Sequence, residues 1–211
     1  MPTLYIIAGS NGAGKSSAGP HLFPQSLIEK HPPFDGDKLK SLKQLEFRKQ
    51  AGGSYKEAGR LADEFVDQAF NTQYKFALHQ NQDFVYEGHF KEEDSWNLIR
   101  TFRNNNYKIN MLFMGLSSVE ISMDRVMQRA YNGGHNVPLY EIERNYYGNL
   151  YKLNQHFDLI DHLVILDSSE ELAIHLATGN NEQITLHLPP AEMPAWFTQY
   201  LPDIYHRGLK T

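Results

Sequence analysis

Gly9-Ser-Asn-Gly-Ala-Gly14-Lys15-Ser16 has the full G-x-x-x-x-G-K-[ST] spacing of a phosphate-binding loop. Glycines in such a loop let successive backbone N–H groups turn inward toward phosphate oxygens. Lys15 is placed to reach the β- and γ-phosphates of ATP, and the Ser16 hydroxyl to bind the Mg²⁺ that bridges them. The expected ATP-binding set is Gly9, Ser10, Asn11, Gly12, Ala13, Gly14, Lys15, Ser16 and Ser17. A helix opening near Lys15 would add the positive end of its dipole.

A phosphate loop fixes a nucleotide, not a reaction, so the remaining polar residues must supply the chemistry. Asp37 follows a short extended segment beside Asp35, where a carboxylate could accept the proton of an attacking hydroxyl. An aspartate there could equally cap the helix that follows. Glu87 ends an apolar strand in Tyr86-Glu87-Gly88-His89 and could hold substrate hydroxyls or a metal-bound water; His89 is a weaker candidate beside it. Arg125 and Arg129 lie four apart, on one face of a helix, and Arg144 lies on the next helix. Cations on such a hairpin can neutralise charge on a transferring phosphoryl group. Their bland alternative is ion pairing with Asp124, Glu141 or Glu143. Leu163-Val-Ile-Leu-Asp167 mimics a Walker B strand, but an aspartate ending a late strand more often starts a turn.

The elements that must position these groups follow from periodicity and punctuation. The apolar run 3–8 reads as a strand leading into the loop, and the helix after it should bend or stop near Pro20 and Pro24. A lysine-rich helix over about 38–49 is followed by the capping box Ser54-Tyr-Lys-Glu57 and a long helix to about residue 79. Strands are expected at 83–87, 107–116 and 163–166, with a helix carrying Trp96, Ile99 and Phe102 between the first two. Ser117-Ser-Val-Glu120 reads as a second capping box, opening a helix through Gln128 that Gly133-Gly134 stops. Pro138 suits the first turn of a helix reaching about His156. Short strands near 172–177 and 183–188 and one terminal helix over 193–204 complete the chain. Strands alternating with helices predict an α/β P-loop NTPase or kinase fold. Its parallel central sheet is flanked by helices, with a helical lid over about 117–156 and a small C-terminal strand extension over about 170–211, all within one domain, 1–211.

Composition narrows the class. The 211 residues suffice for one domain with a real core, and 41% hydrophobic and 21% charged residues are ordinary for a globular chain. A net charge of -5 argues against a dedicated binder of nucleic-acid backbone. Without cysteine there is no disulfide, thiolate metal site or cysteine nucleophile. Neither a signal peptide nor an 18-residue apolar run is present, so a cytoplasmic location without membrane contact is expected.

Taken together, the P-loop strand, Asp35-Gly-Asp37, Tyr86-Glu87-Gly-His, Arg125-x-x-x-Arg129, Gly133-Gly-His135-x-Val-Pro138 and Ile142-x-Arg144 resemble the zeta-toxin family over roughly residues 3–205. The resemblance implies a P-loop kinase that passes the γ-phosphate of ATP to a hydroxyl of a nucleotide sugar such as UDP-N-acetylglucosamine, and an antitoxin protein as partner. It matches Asp37 to the catalytic base and Lys15 and Ser16 to ATP and Mg²⁺. Arg125, with Arg129, His135 and Arg144, matches the lid residues near the phosphates, and Glu87 the acidic residue that contacts substrate; Asp35, Glu87, His89, His135 and Arg144 are the expected substrate-binding residues. Gly88, His89, Asn145, Gly148 and Asn149 depart from the family's usual residues, and all lie on the side that would choose the acceptor. Two other classes remain open: an ATPase or switch module acting on a protein or nucleic-acid partner, and a nucleic-acid end kinase using Lys38, Lys40 and Lys43. No Leu-Ser-Gly-Gly-Gln or Asn-Lys-x-Asp occurs to point to an ABC ATPase or a GTPase.

Overall fold

The structure, a computed structural model, describes residues 1–50, 52–132 and 137–210. Among these, seven strands form one sheet in the order β2-β3-β1-β4-β5-β6-β7. The strands are β1 (Thr3–Gly9), β2 (Phe34–Asp35), β3 (Phe84–Gly88), β4 (Lys108–Gly115), β5 (His162–Asp167), β6 (Ile174–Gly179) and β7 (Ile184–Leu186). The first five are parallel and the last two antiparallel. Buried on both faces, β1 and β4 are almost continuously apolar, as parallel strands between helical layers must be.

The helices are α1 (Gln25–Lys30), α2 (Gly36–Gln50), α3 (Tyr55–Gln80), α4 (Glu93–Asn104), α5 (Val119–Tyr131), α6 (Leu139–His156), α7 (Ala195–Tyr200) and α8 (Pro202–Gly208). Ser54 caps α3 by accepting from the Glu57 N–H at 3.3 Å, half of the expected capping box. The Glu57 carboxylate turns instead to Arg60. In α5 the cap is Ser118, accepting from Ile121 N–H at 3.4 Å, so Ser117 lies outside the helix and Glu120 cannot close the expected box. The expected stop at Gly133-Gly134 lies outside the described residues.

Two expectations are corrected. No regular helix follows the phosphate loop. A single turn, closed by Ala18 N–H to Gly14 O and Gly19 N–H to Lys15 O, passes into a short 3-10 turn at Gly19–Leu22. Pro20 has no N–H to continue the ladder, and its ring would strike the carbonyl four residues back. The loop therefore presents one turn of oriented N–H groups rather than a full helix dipole. The terminal helix is likewise two, α7 and α8. Leu201, at φ -123° and ψ 48°, leaves the helical region ahead of Pro202, since proline disfavours the α region in its predecessor.

The β1 strand lies between β3 and β4, so the chain crosses to opposite sides of the sheet from it. That reversal opens a crevice at the carboxyl ends of the strands, where open α/β sheets place ligands. The main core lines both faces, with Trp96, Ile99 and Phe102 of α4 and Tyr146, Leu150 and Leu153 of α6 fully buried. Trp196 of α7 is buried over Gly115, whose missing side chain makes the room: a Cβ there would lie 2.2 Å from the indole.

Candidate active site

The phosphate loop leaves β1 through Gly9, where backbone contact with β4 excludes any side chain: a Cβ would sit 2.2 Å from Met114 O, at a φ of 141° open to glycine alone. Lys15 is buried beneath the loop and donates to Gly9 O at 3.0 Å and Ser10 O at 2.9 Å. Burial lowers its pKa; Glu87, then Asp37 and Asp35, oppose this, while Arg129 adds to it. The same balance places Asp37 and Arg129 within electrostatic reach of the ammonium.

Asp35 and Glu87 are register partners across β2 and β3. The Ser16 hydroxyl contacts both carboxylates, Glu87 Oε1 at 2.5 Å and Asp35 Oδ2 at 3.1 Å. Burial raises the pKa of Glu87, the Ser16 hydrogen bond opposes it, and Asp35 raises it again. Asp35 also caps α2, accepting from Lys38 N–H at 2.9 Å. That settles the choice open for Asp37: the cap is Asp35, and Asp37 lies in the first turn of α2 with an exposed side chain. Its Oδ2 stands 3.6 Å from His89 Nε2.

His89 is boxed in. Asn149 Nδ2 lies 3.3 Å from its Nδ1, and Asn11 Nδ2 3.4 Å from its Nε2. Burial, reinforced by Lys15, pushes its pKa down to about 4, against the pull of Asp37. Asn145 Nδ2 donates to Asn11 Oδ1 at 2.6 Å, and Ser122 Oγ to Asn11 O at 2.6 Å, so α5 and α6 both grip the phosphate loop. These asparagines were not legible as a network. The available signal was a pair of polar residues, four apart, on the apolar stripe Ile142, Tyr146, Leu150, Leu153 of α6, since a polar group on a buried face needs a partner. Gly148 belongs to the same contact: a Cβ there would meet Lys91 Cβ at 2.7 Å.

The arginines divide. Arg125 donates to Gly12 O at 3.2 Å, Ser168 O at 2.7 Å and Ser169 O at 2.5 Å, bracing the phosphate loop against the turn after β5. Arg144 pairs with Glu92 at 2.6 Å, away from that loop. His135 lies outside the described residues. Asp167 starts the turn, accepting from Ser169 N–H at 2.9 Å and from Trp196 Nε1 at 2.8 Å. A surface cleft of about 460 Å³ is lined by Lys91, Glu92, Tyr140, Arg144 and Tyr147 among others; Lys15 and Asp37 do not line it.

A glycine-rich phosphate cradle at the switch point of a mostly parallel sheet, faced by carboxylates and gripped by α5 and α6, defines a P-loop fold. The zeta toxin family matches residues 1–179, and the chain belongs to that family. No curated protein matches the sequence. Among solved structures, a chain of the AvrRxo1-ORF1:AvrRxo1-ORF2 complex superposes with a TM-score of 0.63 at 16% identity, over 93% of this chain and 65% of that one. The same complex with ATP gives 0.62 at 16% identity, over 89% and 61%. A chain of the PezAT chromosomal toxin–antitoxin system of Streptococcus pneumoniae gives 0.59 at 15% identity, over 100% of this chain and 85% of that one. The chain thus spans less than two thirds of the length of the AvrRxo1 chains it matches, and at these identities the likeness is one of fold.

Proposed function

We propose that the chain is an ATP-dependent small-molecule kinase that transfers the γ-phosphate to a hydroxyl, with a UDP-amino sugar such as UDP-N-acetylglucosamine as the acceptor class. The observation that carries this reading is the gathering of Lys15, Ser16, Asp35, Glu87 and the Asp37–His89 pair at the carboxyl ends of β1, β2 and β3. Lys15 binds the β- and γ-phosphates. Asp37, exposed beside them, orients the acceptor hydroxyl and takes its proton. Arg129, within reach of the Lys15 charge, is the better placed of the α5 arginines to face the transferred group, because Arg125 is engaged with three carbonyls.

The donor set around Ser16, one hydroxyl and two carboxylates, fits Mg²⁺, a hard cation that takes one or two carboxylates and completes its shell with water and phosphate. Among the described residues no cluster of three or more His, Asp or Glu could hold a metal without such help. Ser16, with Asp35 and Glu87 beside it, would hold the ion, which would neutralise charge on the β- and γ-phosphates.

Tyr140 and Tyr147 beside Lys91 and Arg144 offer ring faces and cations suited to a nucleotide's base and phosphates, which supports the acceptor class. The PezAT toxin–antitoxin system supports a separate antitoxin as protein partner, and the AvrRxo1-ORF1:AvrRxo1-ORF2 complex supports a second protein chain. No described helix is long and apolar enough to cross a membrane, in keeping with the proposed cytoplasmic location. A nucleic-acid acceptor is disfavoured because Lys40 is paired with Asp63 and Lys43 with Glu46.

The test is transfer of label from γ-labelled ATP into a panel of nucleotide sugars, nicotinamide nucleotides and small metabolites, with Asp37→Asn as control. Transfer to a sugar nucleotide that falls by about 10²–10⁴-fold in the variant, with ATP binding intact, is expected. ATP turnover without transfer to any acceptor would favour the switch module instead.

A further inference from the structure

Every contact around His89 fixes it more firmly than a loop histidine needs. Its carbonyl accepts from Ser95 Oγ at 3.1 Å, and the next carbonyl, Phe90 O, accepts from Trp96 Nε1 at 2.9 Å. Phe90 N–H donates to Asn149 Oδ1 at 2.6 Å. The peptide that carries the ring is therefore tied to α4 on one side and to α6 on the other.

The same ties determine where the ring proton lies. Phe90 N–H is a donor and must meet an oxygen, so it fixes Asn149 Oδ1 on its side at 2.6 Å; the amide nitrogen then donates to the helix carbonyl Asn145 O at 2.5 Å. Its amide orientation follows from two backbone groups, leaving an N–H of Nδ2 toward His89 Nδ1. A neutral imidazole has one N–H and one lone pair. Amide nitrogens face both ring nitrogens, Asn149 at Nδ1 and Asn11 at Nε2, but backbone groups orient only the Asn149 amide, so Nδ1 accepts and Nε2 carries the proton. Nε2 faces Asp37 Oδ2 at 3.6 Å, a gap that a small rotation of the exposed aspartate closes.

We propose that His89 is a positioning residue for Asp37: Asn149 fixes its tautomer, and Nε2–H holds the aspartate carboxylate in one orientation toward the acceptor hydroxyl. The inference rests on the kinase reading, with Asp37 as base. The groups that face the ring are Lys15 from the phosphate loop, Asp37 from α2, Lys91 from its own loop, and the amides of Asn11 and Asn149. In-line transfer needs the carboxylate in one orientation toward the hydroxyl. His89 and Asn149 thus form one device: a ring that holds the carboxylate, and an amide that sets the ring's proton.

The test has two arms on the full chain. In ¹⁵N-histidine-labelled protein at pH 7, His89 should be the Nε2–H tautomer, and Asp37→Asn should shift its Nε2 resonance. A Nδ1–H tautomer, or an Nε2 signal indifferent to Asp37→Asn, overturns the proposal whatever the enzyme does. In the second arm, γ-phosphate turnover from MgATP is followed with UDP-N-acetylglucosamine and with water as acceptor. His89→Leu should lower kcat about 10- to 100-fold with KM for ATP unchanged, and move the acid limb of the rate profile up by on the order of one pH unit. His89→Gln, which keeps an N–H donor, should recover most of the rate. Equal losses in both variants with no change of the acid limb make His89 merely structural and defeat the proposal. Turnover that survives Asp37→Asn defeats the base assignment instead, and the resonance arm still decides the geometry.

Discussion

Asp35 and Glu87 stand side by side on adjacent parallel strands, and the hydroxyl of Ser16 touches both carboxylates. Two acids at neighbouring strand ends repel, and burial raises the pKa of Glu87 further. A divalent cation at this point relieves both costs. Ser16→Ala and Glu87→Gln should therefore weaken Mg²⁺-dependent stabilisation by ATP while sparing metal-free nucleotide binding. Thermal shift with ATP plus Mg²⁺ against ATP plus EDTA checks this: the metal increment should shrink in both variants. An unchanged increment places the ion elsewhere.

Arg125 separates two roles that its position alone would not. As a brace it donates to Gly12 O, Ser168 O and Ser169 O. Arg125→Ala should then raise KM for ATP about tenfold or more with a smaller change in kcat, since charged hydrogen bonds contribute ~1.5–3 kcal/mol each. Arg125→Lys should not rescue it, because lysine lacks the planar fork that spans two carbonyls. A transition-state finger would give the reverse, a kcat loss of about 10³–10⁵ with KM preserved.

His89 makes the fold sensitive to acid. Its pKa is about 4 in the folded chain and about 6.5 when unfolded. Between those values the unfolded state binds a proton that the folded state does not, so stability rises with pH across that window and is lost as pH falls through it. The full effect is about 3–4 kcal/mol at 1.36 kcal/mol per unit. Urea unfolding at pH 7.5, 6 and 4.5 should show this decline, and His89→Gln should flatten it. Parallel pH dependence in the two proteins would count against a buried neutral ring.

Trp196 carries the C-terminal segment. Its ring fills the space over Gly115, and its Nε1–H satisfies Asp167 at 2.8 Å. Trp196→Ala should cost about 3–5 kcal/mol, measured by urea unfolding. Trp196→Phe should cost less in packing but strand the buried Asp167 oxygen. Equal stability of both variants and wild type would mean that the segment packs independently of the sheet.

The sequence was most readable where one local rule decides the outcome. The phosphate loop needs its glycines at fixed intervals, and the long stripe from Ala58 to Ala77 can only be a helix. Readability failed where two local rules compete, as at Ser16–Leu22, where glycine-loop-to-helix continuity met Pro20 and lost. It failed again where distant residues decide. Asn11 and Asn145 are 134 positions apart, and nothing near either asparagine announces the other. In sequence Asp37 could be base or cap; strand register gives Asp35 the cap and Ser16, and leaves Asp37 facing His89.

Lys15 donates to two carbonyls of its own loop. Any phosphate it serves must take the ammonium from Gly9 O and Ser10 O. Nucleotide capture is then an exchange of acceptors around one cation, and its strength is a difference between two sets of bonds rather than a sum. Such a site discriminates by charge: a carbonyl-strength ligand gains nothing by entering, whereas a polyphosphate outbids the loop.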